Sequence, residues 1–402
     1  MILLKPKAIS LFTCGMGMDF GFEKGGFETV YTNDIEEFAY NTIKKNKSGV
    51  PCDLGDITNI KSSEILRRCN LKEGEADVVI GGPPCQSFST AGKRKGFDDK
   101  RGIALLEFIR VIRDVRPKFF VFENVPGIKS MSKKQIGFYD RASMDKSKLS
   151  DDEKYGSLFA EILEEFHGLE GYKIDHDILN AADYGVPQKR KRFILIGSRN
   201  PNVHPKKIFE EIKNKATFTK SFTWREQARA LWKKLGVVDE ENKPWRTLRD
   251  GLEGLVDKEK EHTGFPSWGK YMEYIPRGVG GNWTDLPDEL KKEAMGGAAD
   301  SDDEKRKGKQ GGRTGFFRRL SWDSPSPTLV TSPSQLGTCM CHPDEDRPLT
   351  VREYARLQGF PDTWEFVGSI PQKYRMIGEA VPVQLAEVIA TALTKNLRDN
   401  SH

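Results

Sequence analysis

Ala76-Asp77-Val78-Val79-Ile80-Gly81-Gly82-Pro83-Pro84-Cys85-Gln86-Ser87 decides the fold. An apolar run, 76–80, stops at two glycines and a diproline and then presents a cysteine. Apolar residues in both alternations describe a strand buried on both faces. Proline fixes φ and removes a donor, so the strand ends there. Similar runs recur at 8–12, 29–31, 119–122, 173–179 and 193–196, with helical stretches such as 35–46, 103–115 and 158–169 between them. Strands alternating with helices predict a mostly parallel α/β sheet, Rossmann-like, over residues 1–199. In such a sheet, ligands sit at the carboxyl ends of the strands.

The chemically suggestive residues fall at those ends. Cys85 follows the run 76–80, and Glu123-Asn124-Val125 follows 119–122. Gln188-Lys189-Arg190-Lys191-Arg192 opens 193–196. Thiol, carboxyl and guanidinium groups together suit addition to the C5–C6 bond of a pyrimidine. Phe12-Thr13-Cys14-Gly15-Met16-Gly17-Met18-Asp19 follows the first run and opens a helix, and Asp34 ends the second, where an acid grips ribose hydroxyls. The glycines at 15, 17 and 21 do not make a GxGxxG pattern, which disfavours a nicotinamide dinucleotide.

Residues 129–155 form a Lys/Ser/Asp-rich excursion. From 200 to 315 strand alternation is lost, tryptophans crowd at 224, 232, 245, 268 and 283, and 299–312 is a charged low-complexity run. This segment is the expected second domain, and 316–402, ending in an amphipathic helix at 384–397, the expected return to the first. Across 402 residues the net charge is +5, compatible with a polyanionic partner but too mild to require one. No apolar run reaches membrane-spanning length and no signal peptide is evident, so a cytoplasmic, prokaryotic and nucleoid-associated location is expected. The six cysteines show no disulfide-scaffold pattern. Cys339-Met340-Cys341-His342 lacks a second cluster to complete a zinc tetrahedron, and no metal is expected.

In their order and wording these motifs resemble the DNA (cytosine-5) methyltransferases of bacterial modification systems, over nearly the whole chain. The C-terminal stretches Arg318-Arg319-Leu320-Ser321-Trp322, Arg347-Pro348-Leu349-Thr350 and Gly378-Glu379-Ala380-Val381-Pro382 extend the resemblance. It implies methyl transfer from S-adenosyl-L-methionine to C5 of a flipped-out cytosine in double-stranded DNA, through a Cys85 adduct at C6. It assigns the N3/N4 edge of the base to Glu123 and O2 to Arg192, with Arg190 supporting anionic groups nearby. On the cofactor side it assigns Phe12, Gly15, Gly17, Asp34, Ile35, Asp56, Ile57, Pro83, Glu379 and Ala380. The polar stretch 86–101 corresponds to a loop that closes over DNA, with Gln86, Ser87, Lys93, Arg94 and Lys95 as DNA contacts. Arg277 and Arg313 are further candidates in the recognition domain. A monomer working alongside a cognate restriction endonuclease is expected. Two departures stand out. Cys14 and Met16 replace the usual glycines, and Glu379 replaces the asparagine of Gly-Asn-Ala-Val-Pro, which leaves altered cosubstrate range or a weakly active, regulatory member open. Methylation of tRNA is the remaining alternative, against which the large 200–315 segment argues.

Overall fold

The computed structural model describes residues 4–84, 100–134, 136, 149–219, 243–295 and 315–399. Contacts divide the chain into two compact units: Met1–Asn180, Lys191–Lys215 and Leu385–His402 form the first, and Ala181–Arg190 with Ala216–Gln384 the second. This differs from the division expected at 199 and 316. Of the C-terminal segment, only the stretch from Leu385 onward groups with the sheet, and 316–384 packs with the preceding region.

Seven strands build the first unit: β1 (Lys7–Leu11), β2 (Glu28–Asp34), β3 (Cys52–Leu54), β4 (Val78–Gly81), β5 (Phe119–Asn124), β6 (Lys173–Asn180) and β7 (Lys191–Ser198). Their order is β3-β2-β1-β4-β5-β7-β6. The five strands from β3 to β5 run parallel, whereas β7 is antiparallel to both β5 and β6. The chain progresses outward in both directions from β1, so the carboxyl ends of β1 and β4 flank the switch point at which open sheets bind ligands.

Both faces are covered. Ile9, Leu11, Val79, Phe120, Phe122, Phe193 and Leu195 join one core cluster with residues of the helices Ser62–Cys69, Lys100–Val115 and Ser157–His167. The intervening Ala8, Val78, Ile80, Phe119, Val121, Ile194 and Ile196 are also buried, pointing to the other face. The C-terminal helix, Val383–Asp399, returns to the first unit, where Thr394 donates to the carbonyl of Gly25 at 2.7 Å. Among the described residues, one helical stretch, Ile370–Asp399, is long and apolar enough to cross a membrane by length and composition; it is broken before Val383, and 72% of its most apolar window is buried within the protein.

Among its described residues, the second unit combines short helices, including Asp288–Met295, Val351–Gln358 and Ile370–Glu379, with small two-stranded pairings. Val279–Gly281 pairs antiparallel with Arg319–Ser321, and its core collects Tyr271, Met272, Ile275, Leu286, Phe317, Cys339 and Cys341. Phe317 meets Trp268 and Tyr271 edge-on at 5.6 and 5.4 Å. Polar ties replace strand ladders here. Arg319 is 1% exposed and donates to the carbonyls of Met272, Ile275, His342 and Glu345, with Asp346 as counter-ion. Arg347 forks onto Glu353 with two bonds of 2.9 Å.

Candidate active site

The loop after β1 holds three non-glycine residues in the left-handed region: Phe12, Cys14 and Met16, at φ 54°, 50° and 66°. Side-chain crowding there costs on the order of 1–2 kcal/mol per residue, so neighbours must hold the loop. Thr13 N–H donates to Asn33 O at 3.0 Å, and Cys14 N–H to Asp34 Oδ2 at 2.7 Å. The other oxygen of Asp34 accepts from Glu36 N–H at 2.9 Å. Beneath the loop runs a buried chain: Thr13 Oγ1 donates to Ser10 Oγ (3.1 Å), Ser10 Oγ to Asp19 Oδ2 (3.0 Å), and Thr29 Oγ1 to Asp19 Oδ1 (3.3 Å). Burial, reinforced by Glu23, pushes the Asp19 carboxyl up to about 7.

The expected cofactor residues of this unit surround that loop. Gly15 and Gly17 are buried within it. Ile35 and Leu54, 61% and 47% exposed, present apolar surface just past the ends of β2 and at the end of β3. Asn33 Nδ2 donates to the carbonyls of Asp53 and Gly55, 3.0 Å each, fixing the turn that carries Asp56. Asp56 is exposed and caps the next turn by accepting from Thr58 N–H at 3.0 Å. The Ile57 side chain is buried in the core cluster. An acid whose oxygens are aligned by backbone N–H groups, beside exposed aliphatic side chains, fits an adenosine moiety.

At the ends of β5 and β7 the antiparallel register sets Glu123 opposite Ile194 and Asn124 opposite Phe193. Arg192, at the start of β7, thereby reaches Glu123 at the end of β5: Nε lies 2.7 Å from Oε1, with both side chains about nine-tenths buried. The contact is ionic rather than a well-aligned hydrogen bond, and Arg192 Nη1 donates to Lys191 O at 2.9 Å. Burial lowers the Arg192 pKa, opposed by the Glu123 charge. Gly82, after β4, faces this pair, and a Cβ on it would sit 2.7 Å from Glu123 Oε2. Pro83 is buried, and its carbonyl accepts from Asn124 Nδ2 at 3.2 Å. The strand end is thus tied to the turn that leads to Cys85. Cys85 itself, with Gln86, Ser87, Lys93, Arg94, Lys95 and Arg313, lies outside the described residues.

The remaining expected site residues belong to the second unit. Sequence reasoning set Arg190 beside anionic groups, but the structure places its wholly buried guanidinium on the carbonyls of Leu329 (2.8 Å) and Gly378 (2.5 Å). Gln188 donates to Gln358 at 2.9 Å, and Gln358 Nε2 donates to the carbonyls of Ile377 and Ala380. Ala380 is buried, whereas Glu379 ends the helix Ile370–Glu379 exposed, with Oε1 3.1 Å from Arg375 Nε. Arg277 is paired with Asp346 at 2.7 Å. Cys339 and Cys341 are buried in the core, and burial raises both thiols.

The sequence reading missed Ser10, Asp19, Asn33 and Gln358, which hold the motif loops in place. Ser10 had a legible signal, a lone hydroxyl inside an apolar run. The others are polar residues inside or beside the motif stretches, and nothing in their spacing announces burial.

A family model for C-5 cytosine-specific DNA methylase matches residues 6–395. Among curated proteins, the chain is 35% identical to the type II methyltransferase M.PspPI of Psychrobacter sp. (strain TA137), over 97% of this chain and 79% of that protein. It is 34% identical to the type II methyltransferase M.Sau96I of Staphylococcus aureus, over 95% and 74%. Among solved structures, the Entamoeba histolytica methyltransferase EhMeth shares the fold at a TM-score of 0.56 and 16% identity, with 98% of this chain and 99% of that one covered.

Proposed function

The chain belongs to the C-5 cytosine-specific DNA methylase family, and on that premise we propose how its own residues methylate cytosine in duplex DNA. S-adenosylmethionine, the donor in this proposal, supplies a methyl group activated by its sulfonium. Asp34 receives the ribose hydroxyls, Phe12 and Ile35 enclose the adenine, and Asp56 meets the adenine amine.

Cytosine C5 is a weak nucleophile. The Cys85 thiolate bonds to C6, and the displaced π electrons make C5 attack the methyl carbon. With the donor bound, its sulfonium would supply the methyl group to C5; the C5 proton would then pass to a base as the Cys85 thiolate leaves C6 and the ring regains aromaticity. Glu123 holds the N3/N4 edge and stabilises protonated N3 as the adduct forms. Arg192 binds O2 and keeps Glu123 in place. The target carbon is inaccessible inside a duplex, so the base must be extruded first. The 86–101 stretch, with Gln86, Ser87, Lys93, Arg94 and Lys95, closes over the DNA and offsets part of that cost through phosphate contacts.

The observation that carries this reading is the buried Glu123–Arg192 pair, 2.7 Å apart, facing the Gly82-Pro83 turn two residues before Cys85. A carboxyl and a guanidinium held together at a strand end offer cytosine an acceptor and donors side by side. We further place the enzyme in the cytoplasm as a monomer acting on chromosomal DNA, working in function with a restriction endonuclease of the same site. Methyl-labelled S-adenosylmethionine offered with genomic duplex DNA and, separately, with tRNA tests the reading. 5-Methylcytosine in the DNA is expected; label confined to tRNA, or found on the exocyclic nitrogen, contradicts it.

A further inference from the structure

A cleft of about 310 Å³ opens within the second unit, on the hairpin that pairs Val279–Gly281 with Arg319–Ser321. Lys189, Gly280, Asn282, Arg318, Ser321 and Ser324 are among its lining residues, and no acidic side chain lines it. A cleft with cations and no acid suits a ligand rich in hydrogen-bond acceptors.

The arginines of this unit are not equivalent. Arg249 faces Asp323, Arg277 and Arg319 share Asp346, and Arg347 faces Glu345 and Glu353. Arg318 is half-buried and has no carboxylate within ion-pair distance among the described residues. Its Nε donates to Cys339 O at 3.0 Å and its Nη2 to Met340 Sδ at 3.5 Å. Those two contacts fix the guanidinium plane on its Nε side. A guanidinium carries five N–H groups; among the described residues these bonds engage two of them, and the end-on pair shared by Nη1 and Nη2 is not among the two. Burial lowers the Arg318 pKa, which marks a charge held away from water.

Resting on the reading of this chain as a DNA methyltransferase, we infer that Arg318 is a sequence-reading residue whose end-on N–H pair docks O6 and N7 of one guanine in the recognition site. A phosphate is the competing acceptor. It is neutralised equally well by a mobile surface cation and needs neither a cleft nor a pinned plane. A fixed, partly desolvated pair of parallel donors is the requirement for bidentate reading of guanine. It also rejects other bases, because an adenine or cytosine amino group leaves the donors unmatched.

The test uses the full chain and begins with the site methylated by the wild type, found by sequencing treated genomic DNA. Synthetic duplexes then carry 7-deazaguanine, which lacks N7, at one guanine at a time. One position is expected to lower wild-type kcat/KM by about 10-fold or more, within the range for a bidentate base contact. Arg318→Ala is expected to lose about 10- to 200-fold on the normal duplex, to ignore that replacement, and to spread methylation to sites differing at that position. Arg318→Lys, which keeps the charge and is checked by thermal unfolding, should show the same relaxed preference. Even weakening across all duplexes with a shallower salt dependence would instead identify a phosphate contact and overturn the inference, as would equal sensitivity of wild type and variants to every replacement. A wild type that methylates no duplex DNA overturns the underlying reading itself, a separate and distinguishable failure.

Discussion

Asp19 sits 1% exposed beneath the loop after β1, with Ser10 and Thr29 donating to its two oxygens. Loss of water outweighs those two bonds, and the carboxyl titrates at about 7 rather than 3.8. The sign follows from linkage. A raised acid favours the folded state when protonated, so its stabilisation is complete below about pH 4 and is lost as pH rises through about 7. The span is worth about 4 kcal/mol at 1.36 kcal/mol per pH unit. Asp19→Asn keeps the shape and cannot ionise. Its thermal unfolding curve should be flatter between pH 4 and 8 than that of the wild type, with its relative stability rising toward alkaline pH; parallel curves would show that Asp19 titrates normally. At this scale the sequence was partly legible. Glu123 and Arg192 stand where the motifs set them, because a strand end dictates both position and direction. Arg190, two residues before Arg192 in the same basic run, turns instead to the carbonyls of Leu329 and Gly378, residues more than a hundred positions away, and no local pattern shows that.

Among elements, the central strands β1, β4, β5 and β7 were legible because both of their faces are buried, which leaves apolar runs, and β6 because it alternates polar with apolar residues. β3 was missed: at three residues, Cys52–Leu54, it is too short to display a period. Strand direction is absent from composition. β7 runs antiparallel because only ten residues, Ala181–Arg190, join it to β6, too few for a crossover helix. That reversal brings the start of β7 to the end of β5 and makes the Glu123–Arg192 contact possible. The turn after β4 completes the arrangement, and there the Glu123 carboxylate occupies the space beside Gly82. Gly82→Ala would drive a Cβ against Glu123 Oε2 at 2.7 Å. The expected outcome is a fall in kcat of about 10²-fold or more, the scale of a displaced acid–base group, with a stability loss of about 1–3 kcal/mol, the usual range for overpacking. Wild-type kcat with unchanged unfolding would mean that Glu123 needs no such clearance.

For the whole molecule, the chemistry divides between two units. The first carries the loop after β1, Glu123 and Arg192, with the turn leading to Cys85; the second carries Arg318 and its cleft. The composition change near residue 200 led to an expected domain over 200–315, whereas contacts group 216–384 with 181–190, a grouping that composition does not display. Residues 316–384 resemble motif segments in sequence and nevertheless pack with the irregular region before them, held by Arg319 and its carbonyls. The central step of the proposed mechanism is a covalent bond between Cys85 and the target ring, and that bond can be trapped. Duplex DNA carrying 5-fluorocytosine at the target position cannot release fluorine from C5 as it would a proton. Incubated with S-adenosylmethionine and the wild-type chain, it should give a denaturation-resistant protein–DNA complex, and Cys85→Ala should bind the same duplex without forming that complex. No trapped complex with the wild type, or trapping that survives Cys85→Ala, would contradict the account.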